Sequence, residues 1–100
     1  MSEPSRQSVD SLAGTTVLEF GTSWCGYCRA AQPLITAALS PRPQVRYLRI
    51  EDGSGMPLGR SYGVKLWPTL VFLKDGKEVA RLVRPSDLRT VQQALASAAI

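Results

Sequence analysis

Short apolar segments alternate with polar and glycine-containing ones along the whole chain. The β-branched and apolar run at 15–20 predicts a first strand, and residues 45–50 predict a second. Between them, apolar residues recur every three or four positions from 31 to 39, as they do along a helix with one buried face. Pro33 lies inside this helix and is expected to kink it, because proline removes a backbone donor. A strand, a helix and a second strand in this order predict a βαβ unit.

The second half of the chain has a different order of elements. Residues 69–73 are apolar after the first threonine, which is typical of a central strand covered on both faces. The dipeptide 75–76, Asp-Gly, favours a two-residue hairpin, so residues 78–83 are predicted to pair with this strand. Ser86 is predicted to cap a closing helix, with Asp87 favourable to its dipole. The closing helix would bury one face, formed by Leu88, Val91, Leu95 and Ala98.

These elements fit into one domain, because a chain of 100 residues has room for a single core. Residues 15–100 are predicted to form that domain. Residues 1–14 are predicted to be a partly ordered segment or a short edge element, with residues 5–12 adding either a strand or a helix. Residues 51–63 are rich in glycine and predict a loop with one helical turn near 58–62.

The composition is that of an ordinary globular protein, with 44% hydrophobic and 20% charged residues. The apolar runs are far shorter than the roughly 20 residues of a membrane helix, and no secretion signal is visible. We therefore expect no contact with a membrane and a cytoplasmic location. The net charge is +4, without the basic stripe of a nucleic-acid-binding surface, so no nucleic acid partner is expected. A monomer is expected.

Cys25 and Cys28 are the only cysteines, and the chain has no histidine. Such a pair can form a short disulfide or supply two metal ligands. A structural zinc site needs four nitrogen or sulfur ligands, so this chain would need a second chain to complete one. A purely structural disulfide would close too small a loop to stabilise the fold much. A metal or cluster shared between chains, and two buried thiols without a function, are the alternatives to a redox pair.

The position of the cysteine pair favours redox chemistry. It lies where the first strand leads into the helix, and the free N–H groups at a helix N-terminus favour a thiolate. Cys25 is therefore predicted to have a pKa below the free value of ~8.5 and to be the nucleophile. Cys28, one turn further along, is predicted to be more buried and to be the resolving thiol. Gly26 lets the turn form and permits a partner's backbone to come close.

Taken together, these residues resemble the thioredoxin family. Residues 17–20 followed by Trp-Cys-Gly-Tyr-Cys at 24–28 are similar to its strand and active-site motif. Pro33 resembles the proline of its active-site helix, and residues 67–69, Trp-Pro-Thr, resemble its cis-proline loop. The resemblance covers residues 15–98. It implies an α/β, three-layer fold with a central four-stranded mixed sheet flanked by helices, in which the third strand is antiparallel to the first two.

The resemblance also implies an activity, which is reduction of protein disulfides. Cys25 would attack the substrate disulfide, a mixed disulfide would form, and Cys28 would resolve it. No cofactor beyond this dithiol is expected, and the expected partners are disulfide-containing proteins and a reductase or small thiol. A disulfide oxidase or isomerase, suggested by Tyr27 in place of the family's proline, and a non-enzymatic interaction module are the alternatives. The residues expected to act beside the cysteines are Pro68 in catalysis and Trp24, Gly26, Tyr27, Trp67 and Thr69 in substrate binding.

Three further positions depart from the family pattern. Glu19 stands where the family carries a buried aspartate, and we predict that it is buried and exchanges a proton with Cys28. Its surroundings are expected to be apolar, so Glu19→Leu is expected to slow turnover yet raise the melting temperature. Tyr47 stands where the family often has a lysine. Arg84 stands where it has a glycine of a flat docking surface, so the choice of partner is expected to differ.

Overall fold

The computed structural model describes residues 3–99, which form a single sheet with helices on both sides. In chain order the elements are α1 (Arg6–Asp10), β1 (Thr15–Gly21), α2 (Gly26–Leu39), β2 (Arg46–Glu51), α3 (Pro57–Ser61), β3 (Thr69–Lys74), β4 (Lys77–Val83) and α4 (Leu88–Ala98). The predicted βαβ unit, helical turn, hairpin and closing helix are all confirmed.

The four strands lie in the order β2-β1-β3-β4. Strands β1 and β2 are parallel, whereas β3 is antiparallel to both β1 and β4. The first five residues of β3 are buried, which confirms a central strand covered on both faces. Asp75 and Gly76 make the hairpin turn with φ of 50° and 80°. Two positive φ values are what such a turn requires, and glycine adopts one without strain.

The helices bury both faces of the sheet, which gives the three layers that the resemblance implies. Val17 and Phe72 pack on one face against side chains of α2 and α4. Leu18 and Phe20 pack on the other face against residues of α1 and α3. Successive residues of a strand point to opposite faces. Glu19 therefore shares the face of Val17 and points beneath α2, the helix that begins after Cys25.

The N-terminal segment contributes a short helix rather than an edge strand. Val9 of α1 is fully buried among the side chains on the second face. The guanidinium of Arg6 lies 3.8 Å from the centre of the Tyr62 ring and donates to the Ser61 carbonyl at 2.9 Å. These contacts attach α1 to α3. Residues 1, 2 and 100, which the predicted boundaries include, lie outside the described residues.

The N-cap of α4 is Asp87, and the prediction of Ser86 is wrong. Asp87 has extended backbone angles, and its carboxylate accepts hydrogen bonds from the N–H of Thr90 at 3.2 Å and from the Thr90 hydroxyl at 2.6 Å. A cap must accept from the N–H three residues further along. The helix begins at Leu88, so the residue in that position is Asp87.

Candidate active site

Cys25 is the N-cap residue of α2, at the point where β1 leads into the helix. Its Sγ accepts a hydrogen bond from the N–H of Cys28 at 3.2 Å, so sulfur occupies the place of the usual capping oxygen. Both cysteines are free thiols, with 7% of Cys25 and 3% of Cys28 exposed. The first turn of one helix therefore holds both sulfurs, and Cys28 is the more buried, as predicted.

The two thiols have pKa values shifted in opposite directions. Burial raises the pKa of Cys25, but hydrogen bonds from the Cys28 thiol and from the N–H groups of Cys28 and Tyr27, with the positive charge of Arg84, outweigh it and lower the pKa. Burial and the hydrogen bond with Cys25 raise the pKa of Cys28 to about 11. Cys25 is therefore the thiol that ionises first, as its place at the helix N-terminus predicts.

The loop before β3 faces the cysteine pair. The peptide bond between Trp67 and Pro68 is cis, as the resemblance implies, and Pro68 is buried. The carbonyl oxygen of Trp67 lies 3.9 Å from Cys25 Sγ. The Trp67 indole donates to the carboxylate of Asp52 at 2.8 Å, which ties this loop to the end of β2.

Aromatic side chains border the exposed side of Cys25. Trp24 is 70% exposed and Tyr27 is 59% exposed, so neither belongs to the core. The Trp24 ring packs edge-on against Trp67, with ring centres 5.6 Å apart. Gly26 is exposed, and no atom lies within 4 Å of the place a Cβ would take. These four residues therefore lie beside Cys25 in the chain or on the facing loop.

Thr69, which is expected to contact substrate, has a buried side chain. Its side chain is 1% exposed, and its hydroxyl donates to the carbonyl of Leu66 at 2.6 Å. The hydroxyl closes the turn that carries Pro68 and is directed away from the surface. Thr69 thus supports the loop from the inside.

Glu19 is 3% exposed, which confirms that it is buried. Its surroundings are polar, however, and the expectation of an apolar pocket is wrong. The Gln32 amide donates to both carboxylate oxygens, at 2.7 and 2.9 Å, and the Tyr47 hydroxyl donates to one of them. Arg49 Nε lies 3.7 Å from the same carboxylate. Burial and the hydrogen bond with Glu19 raise the pKa of Tyr47 to about 12, so the hydroxyl remains a donor.

An open cleft of about 350 Å³ leads from the surface to Glu19. It gives the buried carboxylate a route to solvent on the side of the sheet where α2 begins. The negative charge of Glu19 also helps to raise the pKa of Cys28, so the two groups interact through space. The residues that line the cleft are Glu19, Gly21, Thr22, Ser23, Arg49, Ile50 and Glu51.

Comparison with known proteins identifies the family. A family model described as thioredoxin matches residues 3–97. The chain belongs to the thioredoxin family. As a member of this family, the protein is a thiol–disulfide oxidoreductase.

Individual relatives agree with this assignment. A thioredoxin of Chlamydia trachomatis is 37% identical over 80 residues, covering 79% of this chain and 78% of that protein. An H-type thioredoxin of Picea mariana is 31% identical over 96 residues, covering 94% and 76%. The structure of thioredoxin 2 from Pseudomonas aeruginosa PAO1 in its reduced form superposes with a TM-score of 0.87 at 54% identity, covering 97% and 90%.

No helix among residues 3–99 of this thioredoxin-family chain is long and apolar enough to cross a membrane. Within the same residues, no three or more histidine, cysteine, aspartate or glutamate side chains gather as metal ligands would.

Gly21 and Gln32 contact the site but were not among the predicted residues. Gly21 ends β1, and a Cβ there would lie 2.6 Å from Cys28 Sγ. The predicted strand ends at residue 20, so the sequence does not mark Gly21 as a glycine inside a strand, which would have indicated close approach of another group. Gln32 carries no such signal, because nothing in a helical sequence indicates which buried group an amide will meet.

Proposed function

We propose that this protein reduces disulfides of other proteins, with Cys25 as the attacking thiolate and Cys28 as the resolving thiol. The observation that carries this proposal is the opposite shift of the two pKa values, lowered for Cys25 and raised to about 11 for Cys28. The thiolate is the nucleophile in disulfide exchange, so the thiol that ionises first attacks first.

The reaction transfers two electrons from the dithiol to the substrate. Cys25 Sγ attacks one sulfur of the substrate disulfide, and the second substrate sulfur leaves as a thiolate that takes a proton from solvent. Cys28 then loses its proton and attacks Cys25 Sγ, which forms the Cys25–Cys28 bond and releases the first substrate sulfur. A reductase or a small thiol must supply two electrons to restore the dithiol.

Glu19 is the group we assign to take the proton from Cys28, directly or through a water. A thiol with a pKa of about 11 needs a base before it attacks at neutral pH. Support comes from the burial of Glu19 beneath α2, from its effect on the pKa of Cys28, and from the cleft that connects it to solvent. Gln32 and Tyr47 fix the carboxylate through hydrogen bonds.

The surface around Cys25 is where we place the substrate. Trp24, Tyr27 and Trp67 offer apolar contact, Gly26 leaves space for a backbone, and Pro68 shapes the loop opposite the sulfur. All of these groups come from one chain, so the site needs no residue of a second copy, and we propose that the protein acts as a monomer. We place the protein in the cytoplasm, since a reducing compartment keeps such a dithiol reduced.

Trapping of mixed disulfides tests the roles of the two cysteines. Cys28→Ser is expected to accumulate covalent complexes with substrate proteins, because the attack still occurs and the resolution does not. Cys25→Ser, the matched control, is expected to trap none. Equal trapping by both variants, or trapping only by Cys25→Ser, would overturn the assignment.

An oxidase is the second candidate function, because hydrogen bonds that stabilise the Cys25 thiolate also stabilise the reduced form. The reduction potential separates the two. A value near about −270 mV supports a reductase, and a value near about −120 mV supports an oxidase. Equilibration with glutathione buffers measures it.

A further inference from the structure

Arg84 lies directly after β4 at the edge of the cysteine site. Its guanidinium is 4.0 Å from the centre of the Tyr27 ring, and its Nε donates to the Trp67 carbonyl at 2.8 Å. The same carbonyl oxygen lies 3.9 Å from Cys25 Sγ. The aromatic ring and the carbonyl thus hold a positive charge beside the nucleophile.

The backbone of Arg84 is in the left-handed region, with φ of 51°. Residues other than glycine, asparagine and aspartate rarely adopt this backbone conformation. Its N–H donates to the Pro68 carbonyl at 2.9 Å, which fixes the conformation. Such a backbone conformation costs free energy, which the contacts of Arg84 with the Pro68 loop and Tyr27 must offset.

One edge of the guanidinium is available to a ligand. Nε is bound to the Trp67 carbonyl, whereas the two terminal nitrogens have no hydrogen bond or ion pair with any residue between 3 and 99. Arg84 is exposed. Two parallel N–H donors at such an edge match the two oxygens of a carboxylate.

We propose that Arg84 makes the protein favour disulfides that have an acidic residue within two or three positions of the attacked cysteine. Arg84 and Cys25 contact the same carbonyl oxygen, so a side chain flanking the attacked cysteine comes within reach of the guanidinium. Its carboxylate pairs with the terminal nitrogens while Cys25 attacks. This inference rests on the proposed function, since it requires Cys25 to be the attacking thiol.

Two peptide disulfides that differ only in one flanking residue, Glu or Gln, test the preference. Stopped-flow fluorescence gives the rate of reduction of each peptide by the reduced protein at pH 7. Each rate is divided by the rate with dithiothreitol, which removes the intrinsic effect of the carboxylate on the disulfide. The expected ratio of Glu to Gln peptide is about threefold at low salt, the range of an exposed ion pair, and it decreases in high salt.

The variants separate selectivity from general reactivity. Arg84→Gln is expected to reduce the ratio to one. Arg84→Lys is expected to keep part of it, because lysine retains the charge without the paired donors. Arg89→Gln removes the same charge from the exposed start of α4 and is expected to leave the ratio unchanged. If Arg84→Gln does not fold, Arg84→Gly takes its place, since glycine suits the left-handed backbone.

Three results have distinct meanings. Equal normalised rates for the two peptides with the wild-type protein would overturn the proposed preference. A uniform slowing of both peptides by Arg84→Gln, with the ratio preserved, would also overturn it and leave Arg84 as a residue that only supports Cys25. Failure of the wild-type protein to reduce either peptide would instead contradict the proposed function itself.

Discussion

The absence of a side chain at Gly21 leaves space for the Cys28 sulfur, and Gly21→Ala should therefore disturb that sulfur. A Cβ at this position would lie 2.6 Å from Cys28 Sγ and 3.6 Å from Cys28 Cβ. Real Cβ atoms essentially never show contacts below 3.0 Å, so Gly21→Ala must displace the sulfur. Cys28 is buried and its side chain turns about a single bond, so the displacement cannot be absorbed at its far end alone.

The expected effect is large for one methyl group. Overpacking of a filled interior destabilises a protein by about 1–3 kcal/mol. For a domain of this length, about 1 kcal/mol shifts the melting temperature by roughly 4–8 °C, so reduced Gly21→Ala should melt at least about 4 °C lower. The displaced sulfur should also attack the mixed disulfide more slowly. About 1.4 kcal/mol of strain at that step corresponds to a tenfold slower resolution.

Thermal unfolding of the reduced protein and quenched-flow mass spectrometry of the mixed disulfide measure the two effects. Gly26→Ala is the stability control, because no atom lies within 4 Å of the added Cβ and alanine favours the helix by about 0.5–1 kcal/mol. Its melting temperature should stay equal or rise. A Gly21→Ala variant with the wild-type melting temperature and resolution rate would refute the contact between Gly21 and Cys28.

Three further predictions concern the ionisable groups. Alkylation by iodoacetamide should modify Cys25 with a midpoint below pH 9, whereas Cys28 stays protected until about pH 11; equal profiles would contradict the roles. Between pH 9 and about 11 the unfolded chain ionises Cys28 and the folded chain does not, so stability should fall in that window. Urea unfolding measures the free energy of unfolding of Cys25→Ser and of Cys25→Ser/Cys28→Ser across this pH range. Their difference isolates the contribution of Cys28, whose burial persists in the first variant. If the two free energies change with pH in parallel, Cys28 does not cause the loss. Glu19→Leu should lower the free energy of unfolding by about 1–2 kcal/mol, because Gln32 and Tyr47 lose their acceptor. The variant should also resolve mixed disulfides more slowly, because Cys28 loses its base. A raised melting temperature would show that these hydrogen bonds contribute nothing to stability.

The fold could be predicted because its signals are local. The apolar run 69–73 indicates a covered strand by its composition alone, and the dipeptide 75–76 supplies the two positive φ values of the hairpin. The predicted cap of α4, Ser86, lies one residue before the observed cap, Asp87. Either residue type can cap a helix, and only the φ and ψ angles decide between neighbours.

The site could be predicted only as far as sequence neighbours define it. The place of Cys25 at a helix N-terminus follows from the order of strand, motif and helix. The partners of Glu19 do not, because Gln32 and Tyr47 are distant in sequence and meet it only when α2 and β2 pack on β1. From the sequence alone an apolar pocket is expected, which predicts that Glu19→Leu raises stability, whereas the observed hydrogen bonds predict that it lowers stability.

The division of roles between the two cysteines must come from position, because their side chains are chemically identical. Cys25 is at the end of the helix, where unpaired N–H groups and the guanidinium of Arg84 favour a negative sulfur. Cys28 lies one turn further along the helix, where burial and the negative charge of Glu19 oppose a second negative sulfur. The same N–H of Cys28 that stabilises the Cys25 sulfur is then unavailable to any other acceptor. Within one helical turn, Cys25 ionises readily and Cys28 ionises only when a base takes its proton. Attack by Cys25 followed by resolution by Cys28 is the order of steps that thiol–disulfide exchange requires.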